Sequence, residues 1–266
     1  MVILNSLLDE AKQHFTEGDS KLRIDNLILG KTLYTIKNFD SVFTDMNFCM
    51  VLFENAYGFS YFQDDVDYSL SNYVNKNALE VLNEKIPTYL RGALLDALFC
   101  LINKDASGDL MTFKGSLRDK ATQRAVELLR PVPENTKILL LGAATEIIEE
   151  AQRKGCKLKV LDLEKQKIGL ELNATNIENG EQSDIEHEIQ VTDYIIATGM
   201  IFVSETADKI FEFARKYNKH LIIFMETGSN FGPQLLKYGA DTVLSEFFPF
   251  YDFYGDTKYL VSKKDK

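Results

Sequence analysis

The residues from Lys137 to Glu164 combine, at fixed spacing, the groups that a nucleotide-type ligand needs. An apolar run ends at Leu141 and is followed by Gly142, and an acid, Asp162, lies twenty positions beyond that glycine. A strand, a tight glycine turn, a helix and a second strand ending in an acid make up the first βαβ unit of a Rossmann-type domain. An acid at this position usually holds ribose hydroxyls. The stretch therefore predicts a nucleotide-type binding site.

The turn after the first strand indicates which ligand of this type binds. Gly142 is its one glycine, and Ala143 and Ala144 leave less room than glycine for the backbone to approach a phosphate. Thr145 is placed to cap the following helix. Glu146 lies where a pyrophosphate would have to sit, and would repel it by about 1 kcal/mol if partly exposed. S-adenosylmethionine has no phosphate and carries an ammonium and a sulfonium, so an acidic first loop suits it.

We predict S-adenosylmethionine as the cofactor, bound by loops that follow three strands. Asp162 or Glu164 would hold the ribose hydroxyls, and Leu163 would lie along the adenine. The predicted cofactor contacts are Gly142, Ala143, Ala144, Thr145, Asp162, Leu163, Glu164, Thr198, Gly199 and Met200. The alternative is that Gly142 only turns the chain and that the acids are only solvated.

A second loop, residues 226–233, has the composition of an anion site. Its two glycines, with Ser229 and Asn230, can form a nest of backbone amides at the start of a helix whose first residue is Pro233. The predicted substrate contacts are Gly228, Ser229, Asn230 and Gly232. An ordinary strand-to-helix connection is the alternative, and Glu226 is either a general base or a water-exposed acid.

The elements that carry these loops follow from the hydrophobic pattern after Pro133. Short apolar runs are separated by helical patterns, which indicates a parallel sheet covered by helices on both faces. The predicted strands are Ile138–Leu141, Leu158–Leu161, Tyr194–Ala197, Leu221–Met225 and Thr242–Leu244, with Lys258–Val261 as an added edge strand and Glu205–Tyr217 as the clearest helix. Ligands of such sheets bind beyond the carboxyl ends of the strands, where the strand order reverses. We therefore expect the loops at 142–146, 162–165, 198–203 and 226–233 to meet there.

The segment Pro131–Asn135 is the predicted domain boundary, because its two prolines favour an extended connection. Residues 1–130 then form a smaller α+β domain, and residues 137–266 form the Rossmann-like cofactor-binding domain of an α/β protein. The elements predicted before the boundary are a helix over residues 2–17, strands at Leu22–Tyr34, Phe48–Phe53 and Tyr57–Phe62, and helices at Tyr89–Ile102 and Ser116–Leu129. The basic run 114–120 is expected to be a solvated helix face, with contact to a substrate phosphate as the alternative.

Composition argues against several classes of function. A net charge of −10 disfavours a general nucleic-acid binder, whose surface must be basic. No apolar run approaches the roughly 18–20 residues that span a bilayer, and the first residues resemble a helix rather than a signal peptide. Three separated cysteines indicate a reducing, cytoplasmic setting, and none lies near a histidine at ligand spacing, so no metal site is expected. The aromatic segment 247–254 is expected to pack internally, to bury a subunit interface or to stack on a planar substrate, and we expect a homodimer or larger homo-oligomer.

From Lys137 to Phe250 the sequence resembles a set of Rossmann-like proteins. The resemblance rests on the one-glycine turn and on the segments LDLE, DYIIATG, SETADKIFEFAR and FMETGSNFGPQLLKYGADTV. One family of this layout is labelled as a heavy-metal chelation domain and carries a smaller N-terminal α+β domain, although the cysteine and histidine positions give the metal label no support. Length and composition also resemble the HcgC-type pyridinol methyltransferases of methanogens, which serve the assembly of the iron-guanylylpyridinol cofactor of [Fe]-hydrogenase.

The second resemblance implies transfer of a methyl group from S-adenosylmethionine to a ring carbon of a small molecule, a guanylyl-linked pyridinol. Such chemistry needs removal of the hydroxyl proton, alignment of the carbon with the sulfonium methyl, and exclusion of water. Thr198, Glu226 and Thr227 are the candidates for polar contacts to the hydroxyl, with Thr175 as a further one, and the guanylyl phosphate would use the nest at 228–232. An NAD(P)-dependent oxidoreductase and a non-enzymatic carrier of a metal or small molecule are the alternatives.

Overall fold

A computed structural model describes residues 2–36, 39–106, 108–250 and 253–264 of the chain. Within these residues the helices are α1 (Val2–His14), α2 (Ala78–Leu82), α3 (Thr88–Ile102), α4 (Leu117–Leu128), α5 (Thr145–Arg153), α6 (Ile185–Val191), α7 (Met200–Val203), α8 (Ala207–Lys216) and α9 (Gly232–Tyr238). The strands are β1 (Asn26–Ile36), β2 (Phe39–Phe53), β3 (Ala56–Phe62), β4 (Asp109–Phe113), β5 (Lys137–Leu141), β6 (Lys157–Asp162), β7 (Glu171–Leu172), β8 (Thr175–Asn179), β9 (Tyr194–Thr198), β10 (His220–Met225), β11 (Thr242–Glu246) and β12 (Thr257–Lys263). None of these helices has the length and apolar character needed to cross a membrane.

The elements from α1 to α3 form what we call the N-terminal unit. Its strands pair antiparallel in the order β1-β2-β3, and we call them the small sheet. Helix α3 lies directly on β3, because a Cβ on Gly58 would lie only 1.9 Å from the carbonyl oxygen of Ala93. Leu90, Leu94 and Leu98 of α3 are buried, as their helical spacing predicts. The long helix and the three strands expected here are confirmed, although β2 begins at Phe39, well ahead of the predicted Phe48.

The strands from β4 onward form the large sheet, in the order β4-β12-β11-β10-β9-β5-β6-β8-β7. The strands from β11 to β8 in that order are parallel to one another, whereas β12, β4 and β7 pair antiparallel at the two ends. In chain order, β5, β6 and β8 extend to one side and β9, β10 and β11 to the other, which is the strand order of a Rossmann sheet. The order reverses between β5 and β9, which pair directly. The predicted Rossmann-like, doubly wound α/β fold is therefore confirmed.

Two hydrophobic cores cover the two faces of the large sheet, as its apolar strands require. In β5, Leu139 and Leu141 belong to one core, and Ile138 and Leu140 belong to the other. The first core also contains the buried leucines of α1 and α3, and the second contains apolar residues of α4 and α5. The N-terminal unit thus shares one continuous core with a face of the large sheet.

Sheet membership departs from the predicted organisation in three places. β4 pairs with β12, so residues 109–113 belong to the large sheet and the change of sheet lies ahead of Pro131–Asn135. β12, expected at the sheet edge, lies between β11 and β4. β8 pairs with β6, although no pattern predicts a strand there. β4 and β8 escape prediction because both are short and have few buried apolar positions.

The aromatic segment 247–254 packs within the chain at Phe250, whereas Phe248 and Tyr254 are exposed. Phe250 is buried, and its ring centroid lies 4.6 Å from that of Phe59 in the small sheet. Tyr61 and Met200 belong to the same cluster. Two residues of the segment, 251 and 252, lie outside the described residues. Internal packing, one of the three expectations for this segment, therefore holds for Phe250.

Candidate functional site

The loops after β5, β9 and β10 are in direct contact where the strand order reverses. Gly142 has a φ of +98°, and a Cβ there would lie 2.9 Å from both Cγ2 and Oγ1 of Thr198. A Cβ on Gly199 would lie 2.3 Å from the carbonyl oxygen of Thr227. Gly142 is thus required both by its backbone conformation and by the close approach of the next loop. The expected meeting of these loops is confirmed.

The side chain of Asp162 joins the loop after β6 to the turn after β5 by a hydrogen bond. Its Oδ2 accepts a hydrogen bond from the amide of Ala143 at 2.7 Å, and its Oδ1 accepts one from the amide of Glu164 at 2.8 Å. The carboxylate therefore already binds two backbone donors. Because a carboxylate has about four lone-pair directions, it keeps the capacity to accept further hydrogen bonds.

Glu164 is the most deeply buried acid of these loops. It is 4% exposed, and its Oε2 lies 2.7 Å from Nζ of Lys167, whereas its Oε1 is buried without a hydrogen-bond partner among the described residues. Burial raises the pKa of Glu164, Lys167 opposes this shift, and the negative charges of Asp162 and Asp45 add to it. Since Asp45 belongs to β2, the N-terminal unit contributes to the electrostatics of this site.

The start of α5 differs from the sequence prediction. Thr145 is the first helical residue and not the cap, so the predicted capping role of Thr145 is wrong. The cap is Ala144, whose carbonyl oxygen accepts from the amides of Ile147 and Ile148 and whose side chain bonds nothing. Glu146 lies in the first turn, as predicted. The helix therefore begins without a side-chain cap and with an acid beside its amides.

Thr198 and Thr227, both predicted to contact the substrate, have different surroundings. Thr198 ends β9 at the switch in strand order and is half-buried. Thr227 is 3% exposed, and its Oγ1 accepts a hydrogen bond of 2.9 Å from the amide of Tyr61 in β3. Thr227 therefore fastens the small sheet to the loop after β10. The substrate contact expected of Thr198 stays a prediction.

The predicted anion nest after β10 is filled by a carboxylate of the chain itself. The amide of Asn230 donates to Oδ1 of Asp96 at 2.7 Å, and the amide of Phe59 donates to Oδ2 of Asp96 at 2.9 Å. The amide of Gly228 donates to the carbonyl oxygen of Phe59. The predicted substrate contacts Gly228, Ser229, Asn230 and Gly232 are all buried. The loop thus binds the carboxyl group of Asp96, a residue that sequence reasoning missed.

Glu226 is held by a buried arginine from α4. Nη1 of Arg124 lies 3.2 Å from Oε1 of Glu226 and 3.4 Å from Oε2 of Glu246, and the guanidinium lies over the ring of Phe224 at 4.4 Å. Arg124 and Glu246 are buried, and Glu226 is nearly so. The expectation of a water-exposed acid is wrong for this ion-paired carboxylate, and the role of general base stays a prediction.

The basic run 114–120 is only partly solvated, whereas a fully solvated helix face is expected from the sequence. Lys120 is 2% exposed, and its Nζ donates to the carbonyl oxygens of Phe253 at 2.8 Å and Gly255 at 3.0 Å. Lys114 and Arg118 remain exposed. Lys120 therefore fastens the end of the aromatic segment to α4.

Thr175 lies away from the site. It begins β8, whereas the other end of that strand, Asn179, is the residue that pairs with Asp162. The Oγ1 of Thr175 accepts a hydrogen bond of 2.7 Å from Nε2 of Gln152 in α5. Because parallel strands align their carboxyl ends, Thr175 is at the opposite edge of the sheet, and the structure does not bring it to the loops that carry the other candidates.

The described residues also bear on metal binding. Among them, no group of three or more histidine, cysteine, aspartate or glutamate side chains is arranged to hold a metal ion. Cys49, Cys100 and Cys156 are free thiols, and burial raises the pKa of Cys49 to about 12.

The strand order and the position of the contacting loops define an α/β protein of the Rossmann-like class. Along its length the chain is similar to two solved proteins of the DUF364 family, both of unknown function. The protein from Desulfitobacterium hafniense DCB-2 is 12% identical with a TM-score of 0.60, and the match covers 98% of both chains. The protein from Pyrococcus horikoshii is 13% identical with a TM-score of 0.58, and the match covers 98% of this chain and 99% of that one. At such identity the likeness shows the fold alone.

Other comparisons add little to the fold. A mitochondrial aspartate aminotransferase from Trypanosoma brucei is 11% identical with a TM-score of 0.38, covering 59% of this chain and 46% of that one, and this likeness carries no argument. No family model matches the sequence. No curated protein matches it at a significant level.

Proposed function

We propose that this protein is an S-adenosylmethionine-dependent methyltransferase that acts on a small heteroaromatic substrate of the pyridinol type. One observation carries the proposal: the backbone amide of Ala143, in the first turn, donates a hydrogen bond of 2.7 Å to Asp162. In a dinucleotide site the backbone of this turn must approach a pyrophosphate closely. Here a carboxylate occupies that position.

The charges around the turn favour a cationic ligand over a diphosphate. Asp162 and Glu164 end the neighbouring strand, and Glu146 lies in the first turn of α5. Lys167 offsets part of this charge, with its Nζ 2.7 Å from Glu164 and 3.8 Å from Asp162. A doubly anionic pyrophosphate placed here would meet three carboxylates and one ammonium. An ammonium and a sulfonium would be attracted.

The chain offers a fitting group for the hydroxyls of an adenosine ligand. Oε1 of Glu164 is buried without a partner among the described residues, and a buried acceptor of this kind costs about 1–3 kcal/mol while it stays unpaired. A ligand hydroxyl would remove that cost. Asp162 would add acceptor capacity beside it, and Gly142 and Ala143 would line the turn. S-adenosylmethionine would supply the methyl group to be transferred.

On the substrate side, Thr198 is the residue that the fold leaves at the switch in strand order. Its hydroxyl is placed to hydrogen-bond a substrate hydroxyl and to orient the ring, since Thr227 is bonded to Tyr61 and Glu226 to Arg124. Met200 and the aromatic cluster of Phe59 limit the access of water on this side. The pyridinol class itself comes from the sequence resemblance.

Calorimetry with two kinds of ligand tests the proposal. We expect S-adenosylmethionine or its demethylated product to bind the full chain, and NADH to give no heat. Glu164→Gln should weaken that binding at least five-fold, whereas Glu178→Gln, an exposed glutamate on neighbouring β8, should not. A labelled-methyl assay with a hydroxypyridine acceptor then tests transfer. Binding of NADH without binding of the sulfonium compound would refute the proposal.

An NAD(P)-dependent oxidoreductase is the second candidate, favoured by one observation. The first turn of α5 has no side-chain cap, and uncapped amides at the start of a helix commonly bind phosphate. The NADH arm of the calorimetry separates the two candidates, because Ala143 cannot donate to a pyrophosphate and to Asp162 at once.

A further inference from the structure

Asp96 joins three elements at the junction between the N-terminal unit and the large sheet. It lies on α3 and is fully buried. It accepts one backbone hydrogen bond from Phe59 in β3 and one from Asn230 in the loop after β10. The same loop carries Thr227, whose carbonyl oxygen contacts Gly199 at the candidate site. A change at Asp96 would therefore reach the site through a few bonded neighbours.

Among the residues that the structure describes, no positive charge acts on Asp96. Tyr57 faces it from β3 and Cys100 faces it from α3 itself, and burial raises the pKa of both, so both are neutral at pH 7. The loop residues 228–231 bring amides and no titratable side chain. The nearest charge on the bonded network is Glu10 of α1, reached through Asn230, Asn103 and Gln234. Within the described residues, the ionised carboxylate is stabilised by the backbone amides of Phe59 and Asn230 and by the side chain of Asn230.

We propose that this junction is a pH-sensitive latch built on Asp96, closed while the buried carboxyl is neutral and loosened once it is ionised above neutral pH. This inference is independent of the methyltransferase proposal. It goes beyond that proposal, because it concerns the motion of the loop after β10 whatever ligand binds beside it.

The sign follows from the cost of a buried charge. Burial raises the pKa of Asp96 to about 7 from an ordinary value of 3.8, against the two amide bonds, which lower it. An opening that admits water would restore the ordinary pKa. Opening is therefore favoured as the pH rises through this range, and closure is favoured on acidification.

The loop after β10 is the element that opens. Helix α3 and β3 are locked together by the contact of Gly58 with Ala93, where a Cβ would lie 1.9 Å from backbone oxygen. The loop reaches Asp96 through the backbone amide and the side chain of Asn230, and Asn103 holds the carbonyl oxygen of Asn230 at 2.7 Å. Opening of the loop breaks these bonds together with those from Gly228 to Phe59 and from Tyr61 to Thr227, and it exposes the carboxylate while α3 and β3 stay together.

Amide hydrogen exchange measured by NMR at pH 5.5 and pH 7.5 tests the latch. After correction for intrinsic exchange rates, we expect the protection factor of the Asn230 amide to fall about twenty-fold between these pH values. This fall follows from the raised pKa of Asp96 in the closed state. The amide of Leu140 in β5 serves as the internal reference. In Asp96→Asn, which is isosteric and always neutral, the Asn230 protection factor should not depend on pH.

Several results would overturn the latch. One is an Asn230 protection factor that changes no more with pH than that of Leu140. Another is an equal change in Asp96→Asn. Should that variant fail to fold, the wild-type protein still decides the question, because a carbon-13 titration of the Asp96 carboxyl with a midpoint below about pH 5 removes the basis of the latch.

Discussion

The amide of Ala143 and the carboxylate of Asp162 are joined by a hydrogen bond of 2.7 Å, which ties the turn after β5 to the end of β6. Both residues stand at positions that Rossmann-like proteins use for ligands. Here they bind each other, so the first turn is shaped by a carboxylate. Under the proposed function this relationship favours a cationic adenosine ligand over a diphosphate, and it can be tested by substitution.

Asp162→Ala should weaken binding of S-adenosylmethionine by roughly 1–3 kcal/mol, because a ribose contact and the support of the turn are lost together. Calorimetry at fixed pH measures the change. Asp184→Ala, which removes the capping carboxylate of α6 in another loop of the large sheet, is the control and should leave the affinity unaltered. Equal affinities for wild type and Asp162→Ala would remove Asp162 from the site.

Gly142→Ala should lower the free energy of unfolding by about 1–3 kcal/mol. The substitution forces an L-residue to a φ of +98° and places its Cβ 2.9 Å from Thr198. Gly169→Ala is a matched control, because Gly169 has a φ of +85° with nothing within 4 Å of an added Cβ. Urea unfolding of both variants separates backbone strain from the loop contact. Equal losses would show that the contact with Thr198 contributes nothing.

Much of the fold could be predicted because the central strands are local apolar runs. A continuous buried stretch is present in each of β5, β6, β9, β10 and β11. Such a stretch is visible in the sequence as an apolar run, without any helical or strand periodicity. The order of these strands could not be predicted, because it depends on which strands pair and not on what each contains. β4 and β8 were missed because both are short and mostly exposed, so neither contains a continuous buried apolar stretch.

The candidate site could be predicted only in part. The spacing from Gly142 to Asp162 located the switch in strand order, because the βαβ unit is local in sequence. The partners of Asn230 and Glu226 could not be found in this way, since Asp96 and Arg124 lie more than 100 positions away in the chain. A signal did exist for Asp96, which is a single acid in the apolar run LLDALFCL.

Stability should fall as the pH rises from about 4 to about 7, to the extent that Asp96 controls it. The pKa of Asp96 is raised to about 7 in the folded protein, so within this window the folded state binds a proton that the unfolded state has released. The full effect is roughly 4 kcal/mol. Urea unfolding at four pH values in this window should therefore show Asp96→Asn gaining stability relative to wild type as the pH rises. A constant difference between the two proteins would contradict the assignment.

Arg124→Met should destabilise the protein by about 3–5 kcal/mol, because it removes the guanidinium that Glu226 and Glu246 share while both carboxylates stay buried. Arg23→Met is the control: its side chain is 59% exposed and pairs with the exposed Asp25, so a loss of about 0–1 kcal/mol is expected. Adding Glu246→Gln to Arg124→Met should restore part of the loss, since one buried charge is then gone. If urea unfolding showed the double variant to be no more stable than Arg124→Met, packing of Arg124 over Phe224 would account for the effect, and the ion pairs would not.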